Sequence, residues 1–464
     1  MRILRTLMVP LALALVMISC EDKMQTAQQF WLDNNYVEAI DIYKKAAKKG
    51  NVFATYRLAR AYALGLGTEV DEQQAMQLFH EAADKGCEEA KCDLALAMIG
   101  GLYGQEKDYV AGFDSLKTLG EQSKNSYVRS RYAGVYFWGL DTIVAQDKDK
   151  AYEILQTVND KENYVYLYQM ALLYLHGSSA VAVNKGMAID LFTQAYNNGS
   201  KYSAYCLGDI YQFGLADTKV NLPAAVQWYG KGVEGCDQDC MLALAAIHLS
   251  DNEEYAKHHN VQKGFQLLER AALLHNAEAY SRLGVNYITG NGVAKNDEKG
   301  YQYLLKAAEY GSASGKAVLG HILMTGIGCT ADKKEGVRYL EEAAEAGEGS
   351  ASYELYLYYI GSDNRPVNLE KAMKYLQMAG DQGNQSAYYS LGYYYYYGNQ
   401  YIKKNYEQAR IYMEMAASFG VVDSYSMLSD FYRDGIGGPK DLQKAEEYLM
   451  KSVGIETEEF AEEE

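Results

Sequence analysis

Apolar residues recur along this chain in two alternating helical registers, separated by glycines. In the clearest copy Ala279, Leu283, Gly284 and Tyr287 stand at i, i+4, i+5 and i+8 and share one face of a helix, whose small members admit a neighbour closely. Gly290-Asn291-Gly292 ends that helix, since glycine reaches the left-handed conformation a helix end and tight turn require. A second register, Tyr301, Leu304, Leu305 and Ala308, predicts another helix, stopped at Gly311. Each pair therefore reads as a hairpin of a first and a second helix, and one hairpin buries its apolar faces only against its neighbours.

The hairpin repeats almost from end to end. Aligned on the closing glycine, units begin at Asn51, Cys87, Asn125, Tyr164, Ser200, Cys236, Asn276, Ser312, Glu348, Asn384 and Val421, and six of the ten steps are 36 residues. An earlier unit, Met24 to Gly50, has a shorter connection at Asn34-Asn35-Tyr36 and brings the number to 12. The template returns as Tyr205-Cys206-Leu207-Gly208, as Leu319-Gly320 with Gly326-Ile327-Gly328, and as Leu391-Gly392 with Tyr395 and Gly398. The units from Cys87, Asn125 and Cys236 carry Leu94-Ala95, Tyr132-Ala133 and Leu244-Ala245 instead; they are also the longest, which predicts a bend or an inserted loop there.

These residues resemble the Sel-one-like repeat family, relatives of the tetratricopeptide repeats, with an Ala-x3-Leu-Gly-x2-Tyr helix, a Gly-x-Gly connection and a second helix ending in Ala-Ala-x2-Gly. The resemblance implies an all-α fold, an α/α solenoid of about twelve helix pairs of about 36 residues. It also implies scaffolds and adaptors that hold other proteins, although a shared fold does not fix a shared role.

Composition agrees with one continuous array. The chain has only four prolines in 464 residues and no linker rich in Ser, Gly or Pro between units. Its 44 tyrosines are about threefold the usual share, and the repeat accounts for most of them as core residues. The expected organisation is a signal peptide over 1–19, a lipidated amino terminus with a tetratricopeptide-like first unit over 20–50, the repeats over 51–454 and an acidic disordered tail over 455–464.

The amino terminus suggests an address. Arg2 and Arg5 precede an apolar run from Leu7 to Ile18, too short to span a membrane and suited to a secretory signal. Met17-Ile18-Ser19-Cys20 resembles the lipobox of bacterial lipoproteins, which implies lipidation at Cys20 and a cell-membrane lipoprotein, in the outer membrane and facing the periplasm or the surface. Without Arg2 and Arg5, 42 basic residues face 61 acidic ones, a net −19, which disfavours nucleic acid and favours a basic protein or peptide partner.

Signals for chemistry are sparse. Cys87, Cys92, Cys206, Cys236, Cys240 and Cys329 do not follow the repeat, so no repeat-by-repeat disulfide framework is present; Cys206 and Cys240 stand on first helices of consecutive units. His258-His259 lies in a polar stretch without a metal-ligand spacing and reads as solvated loop. No phosphate-binding glycine loop or nucleophile elbow occurs, and the reading is of a protein that is not an enzyme and uses no cofactor or metal.

The candidate site is the groove walled by first helices. With Leu391 and Tyr395 in the core, Tyr389, Tyr393, Tyr396 and Tyr397 project into it; Tyr127, Phe137 and Trp138, and Tyr202, Tyr205 and Phe213, occupy comparable positions. Such aromatics suit a membrane-anchored, extracytoplasmic scaffold gripping a protein or peptide. The alternatives are a glycan-binding surface lipoprotein, since sugar rings stack on the same faces, and a cell-wall or β-lactam-directed hydrolase by analogy with cysteine-rich relatives.

Overall fold

A computed structural model describes residues 23–215, 219–361 and 367–454. The proposed signal peptide, Cys20 and the acidic tail lie outside these residues. Helix α1 occupies residues 23–32 and is followed by α2 (Tyr36–Ala47). The remaining pairs up to His275 are α3 (Val52–Leu64) with α4 (Glu72–Asp84), α5 (Glu88–Gly100) with α6 (Tyr109–Gln122), α7 (Ser126–Trp138) with α8 (Lys148–Gln156), α9 (Tyr164–His176) with α10 (Lys185–Asn197), α11 (Tyr202–Phe213) with α12 (Leu222–Glu234), and α13 (Gln238–Leu249) with α14 (Val261–Leu273). From Asn276 onward come α15 (Ala277–Thr289) with α16 (Asp297–Glu309), α17 (Ala313–Thr325) with α18 (Lys333–Glu345), α19 (Gly349–Ile360) with α20 (Leu369–Asp381), α21 (Gln385–Tyr397) with α22 (Tyr406–Ser418), and α23 (Val422–Asp434) with α24 (Leu442–Ser452). The described residues contain no β-strand, only an isolated bridge between Leu140 and Val144. The all-α repeat solenoid expected from the apolar periodicity is the fold observed.

The chain divides between His275 and Asn276 into two compact units, of seven and five hairpins among the described residues. Within each hairpin the first and second helices come almost to backbone contact. A Cβ placed on Gly284 would stand 2.6 Å from Leu304 Cγ and 3.1 Å from the Gly300 carbonyl oxygen, and one on Gly300 would stand 2.9 Å from the Gly284 carbonyl oxygen. Only the absence of a side chain lets α15 and α16 approach so closely, which is why the Leu-Gly pair recurs. Leu283 and Leu304 fill the interior on either side.

A second device fixes the turn. Every second helix from α4 to α24 has Asn or Asp at its N-cap, with the side-chain oxygen accepting from a backbone N–H of the first turn. The backbone N–H of the same cap residue donates to a carbonyl near the end of the preceding helix, as in Asn296 to Tyr287 at 2.7 Å and Asp332 to Leu323 at 2.8 Å. One residue thus starts the second helix and clasps the first.

Two of the three drifted units carry loops where the extra residues fall, whereas in the unit from Cys87 the connection over 101–108 is no longer than that over 177–184 in a 36-residue unit. Residues 139–147 between α7 and α8 hold the isolated bridge, and residues 250–260 between α13 and α14 hold a single 3-10 turn at Glu253–Tyr255.

Candidate functional site

The first unit curls until its first hairpin meets its sixth. The Tyr36 hydroxyl shares its proton between Asn34 Oδ1 at 3.1 Å and the Gly235 carbonyl oxygen at 3.3 Å, and Lys201 Nζ donates to the Leu32 carbonyl oxygen at 3.1 Å. Cys236 packs against the cluster formed by Trp31, Tyr36 and Tyr43. The odd-numbered helices therefore enclose a cavity of about 780 Å³, a size that suits a small organic ligand or a short chain segment. Its wall includes Trp31, Arg60, Arg131, Trp138, Tyr164, Tyr168, Gln169 and Tyr202, with Asp237 and Asp239 also on it.

Two arginines stand in this wall. Arg60 Nη1 donates to the Tyr164 hydroxyl at 2.9 Å, and the Arg131 guanidinium carbon lies 5.2 Å from the centre of the Tyr127 ring, itself 6.1 Å from that of Tyr164. The nearby carboxylate, Asp93, is occupied otherwise: Tyr56 donates to its Oδ2 at 3.0 Å and Tyr127 to its Oδ1 at 2.5 Å. Among the described residues neither guanidinium pairs with a carboxylate, and Arg131 Nε is buried without a hydrogen-bond partner. The Gln169 side-chain oxygen is likewise buried and unpartnered. Both arginines are surrounded by protein yet only half-buried, because one side of each is open to the cavity.

Burial sets the titration of the groups around them. It raises the Tyr127 and Tyr56 hydroxyls well above the usual tyrosine range, with the Asp93 charge adding to the effect. Burial also pushes the Asp237 carboxyl up to about 6, against the hydrogen bond it accepts from Cys240 N.

The aromatic residues read as groove contacts divide by environment. Trp138 and Tyr202 are 58 % and 41 % exposed and line the cavity. Tyr205 is half-buried and stacks on Tyr202 with ring centres 5.4 Å apart. Phe213 is exposed at the end of α11 and lies outside the cavity wall. Phe137 and Tyr127 are buried in the core and present no free ring face to a partner. In the second unit Tyr393 and Tyr397 are exposed, with ring centres 4.6 Å apart. Tyr389 and Tyr396 are half-buried against the core that includes Phe431, and Tyr395 stacks on Tyr412. Arg60 and Arg131 escaped the sequence reading: they stand nine and six residues after the caps Asn51 and Asn125, so no common register marks them.

Other candidates hold no assembled chemistry. The six described cysteines are free. His259 Nδ1 lies 2.9 Å from the Ser250 carbonyl oxygen in the loop before α14, and no metal-ligating group of residues is found among those described.

Eleven stretches match the Sel1 repeat, over 28–51, 52–87, 130–157, 166–200, 201–235, 238–276, 277–312, 313–348, 350–384, 385–418 and 422–452. The chain belongs to the Sel1 repeat family. Its fold is therefore that of a protein–protein interaction scaffold. Residues 88–129, which include the drifted Leu94-Ala95 copy, are not matched.

Among curated proteins the chain is similar to chitin synthase regulatory factor 3 of Schizosaccharomyces pombe, 23 % identical over 55 % of this chain and 24 % of that protein. It is also similar to the chitin synthase regulator SKT5 of Saccharomyces cerevisiae, 28 % identical over 56 % of this chain and 38 % of that protein. The chain thus spans well under half the length of either relative. A solved structure of a protective antigen present in uropathogenic Escherichia coli is 25 % identical, covering 88 % of this chain and 86 % of its own, with a TM-score of 0.44. A Sel1 repeat protein from Oxalobacter formigenes is 21 % identical, covering 73 % and 93 %, with a TM-score of 0.46.

The curated matches correct the address read from the amino terminus. They are regulators from two yeasts, eukaryotic cells without a bacterial outer membrane, so the placement as an outer-membrane lipoprotein facing the periplasm or the surface does not stand. Among the described residues no helix is long and apolar enough to cross a membrane.

Proposed function

We propose that this chain is a non-catalytic adaptor whose first unit holds a segment of a partner protein in the cavity walled by its odd-numbered helices. The observation that carries the reading is the opening of exposed Trp138 and Tyr202 onto that cavity, large amphipathic faces with few rotatable bonds. Two relatives bear the name of regulators of chitin synthase, which suits a protein that acts by holding another. The Tyr393–Tyr397 pair is a second contact surface in the second unit.

Affinity capture with the full chain tests this. The double variant Trp138→Ala with Tyr202→Ala is expected to lose a partner retained by the wild type at least tenfold, and Tyr393→Ala with Tyr397→Ala to lose it less. Undiminished capture by the first double variant would remove the cavity from the reading. Quenching of tryptophan fluorescence by soluble glycans, without any protein capture, would favour sugar stacking instead.

A further inference from the structure

The first unit keeps two guanidinium groups against a cavity without giving either a carboxylate partner, in a chain whose net charge is −17. Acidic side chains are abundant, so a structural role for these charges would be met by an ion pair. Asp93, the carboxylate at hand, is taken up by Tyr56 and Tyr127. The Arg131 Nε is buried without a hydrogen bond, which is costly to the fold, and such a group persists where a ligand completes the guanidinium. The unpartnered Gln169 oxygen on the same wall is a second incomplete group, an acceptor awaiting an N–H.

We propose that this cavity binds a carboxylate, with Arg60 and Arg131 as its donors and the exposed rings of Trp138 and Tyr202 packing against the group that bears it. The charge balance favours a monoanion. Beside the two guanidinium groups Asp93 leaves one local positive charge for a single carboxylate; Lys201, Asp237 and Asp239 on the rest of the wall bring the whole to neutrality, so a phosphate dianion would leave the larger negative excess. A peptide carboxy-terminus presents both the carboxylate and a backbone N–H for Gln169, whereas a free small acid presents the carboxylate alone. The inference rests on the cavity being the binding surface proposed above, and it adds the chemistry of the bound group.

Fluorescence titration of the full chain tests it, since Trp31 and Trp138 line the cavity. The probes are a pool of N-acetylated tetrapeptides with free carboxy-termini, the same pool as carboxamides, and N-acetyl amino acids. The wild type is expected to bind the carboxylate pool at least tenfold more tightly than the carboxamide pool. Arg131→Gln is expected to abolish that preference while its Tm stays level or rises, an outcome a merely structural arginine would not give; Arg131→Lys, which keeps the charge without the fork, retains part of it. Tighter binding of tetrapeptides than of N-acetyl amino acids assigns the carboxylate to a chain terminus, and equal binding assigns it to a small acid. Equal affinity for the two peptide pools, no binding of either, or a preference that survives Arg131→Gln overturns the proposal. Partner capture that is lost in the Trp138/Tyr202 variant but intact in Arg131→Gln leaves the adaptor reading standing and removes only the carboxylate.

Discussion

The hydroxyl of Tyr36 and the carbonyl of Gly235, 199 positions apart, are joined by a hydrogen bond of 3.3 Å that closes the first unit on itself. Tyr36→Phe removes the hydroxyl from both Gly235 and Asn34 Oδ1, 3.1 Å away, but keeps the ring against Trp31, 5.3 Å away between centres, and is expected to cost about 1 kcal/mol. Tyr36→Ala also empties the core beside Tyr43 and is expected to cost about 3–4 kcal/mol. Urea denaturation measures both. Hydrogen exchange in Tyr36→Ala should lose protection around residues 199–204 as well as in the first hairpin; protection kept at 199–204 would show that the closure carries no stability.

The helix–helix approach at the Leu-Gly pair predicts opposite outcomes for two glycines. Gly284→Ala drives a methyl to 2.6 Å from Leu304 Cγ and is expected to destabilise by about 2–3 kcal/mol. Gly230→Ala, inside α12 with nothing within 4 Å of the added Cβ, is expected to stabilise by about 0.5–1 kcal/mol. Shifts of the urea midpoint in the same direction would contradict the packing described.

The clasp residues predict a graded loss. Asn296→Ala removes the cap bond to Lys299 N at 2.9 Å and is expected to cost about 1 kcal/mol. Asn35→Ala, at a helix start where no side-chain cap bond forms, is expected to change thermal stability little. Equal effects in calorimetry would mean that the cap bond does not set the difference.

Asp237 gives the first unit a pH dependence. Burial raises its carboxyl from 3.8 to about 6, so the folded state holds a proton that the unfolded state releases. This group's contribution is therefore most favourable below about pH 4 and is lost as pH rises through about 6. Asp237→Asn keeps a capping oxygen for Cys240 N without the charge. Relative to the wild type it should be more stable by about 1–3 kcal/mol at pH 8, with the difference shrinking towards pH 4. A difference independent of pH, followed by urea titration across that range, would place the Asp237 pKa at an ordinary value.

Much of the fold was legible because each hairpin is a local object. Leu283-Gly284, Gly290-x-Gly292 and Gly311 mark a helix face, a turn and a stop within 36 residues, and the same marks return down the chain. The Asn or Asp clasps are equally regular, recurring at Asn260, Asn296, Asp332, Asn368, Asn405 and Asp441, and mark the same turns as the glycines. The cavity was not legible. Arg60 and Arg131 lie two hairpins apart in different registers, and what turns them to a common space is the accumulated curvature of seven hairpins. Of the adjacent pair Phe137 and Trp138, one is swallowed by the core and the other lines the cavity, a choice made by neighbouring helices that one repeat does not encode.

An open stack of repeats frays from its ends, shedding terminal modules at little cost because each touches only the next. The latch between the first and sixth hairpins of the first unit removes that freedom: the amino-terminal module cannot peel away without also exposing a partner some two hundred residues downstream. The first unit should therefore melt as a single block, and its slowest folding step should be the joining of these distant ends after the intervening modules have formed.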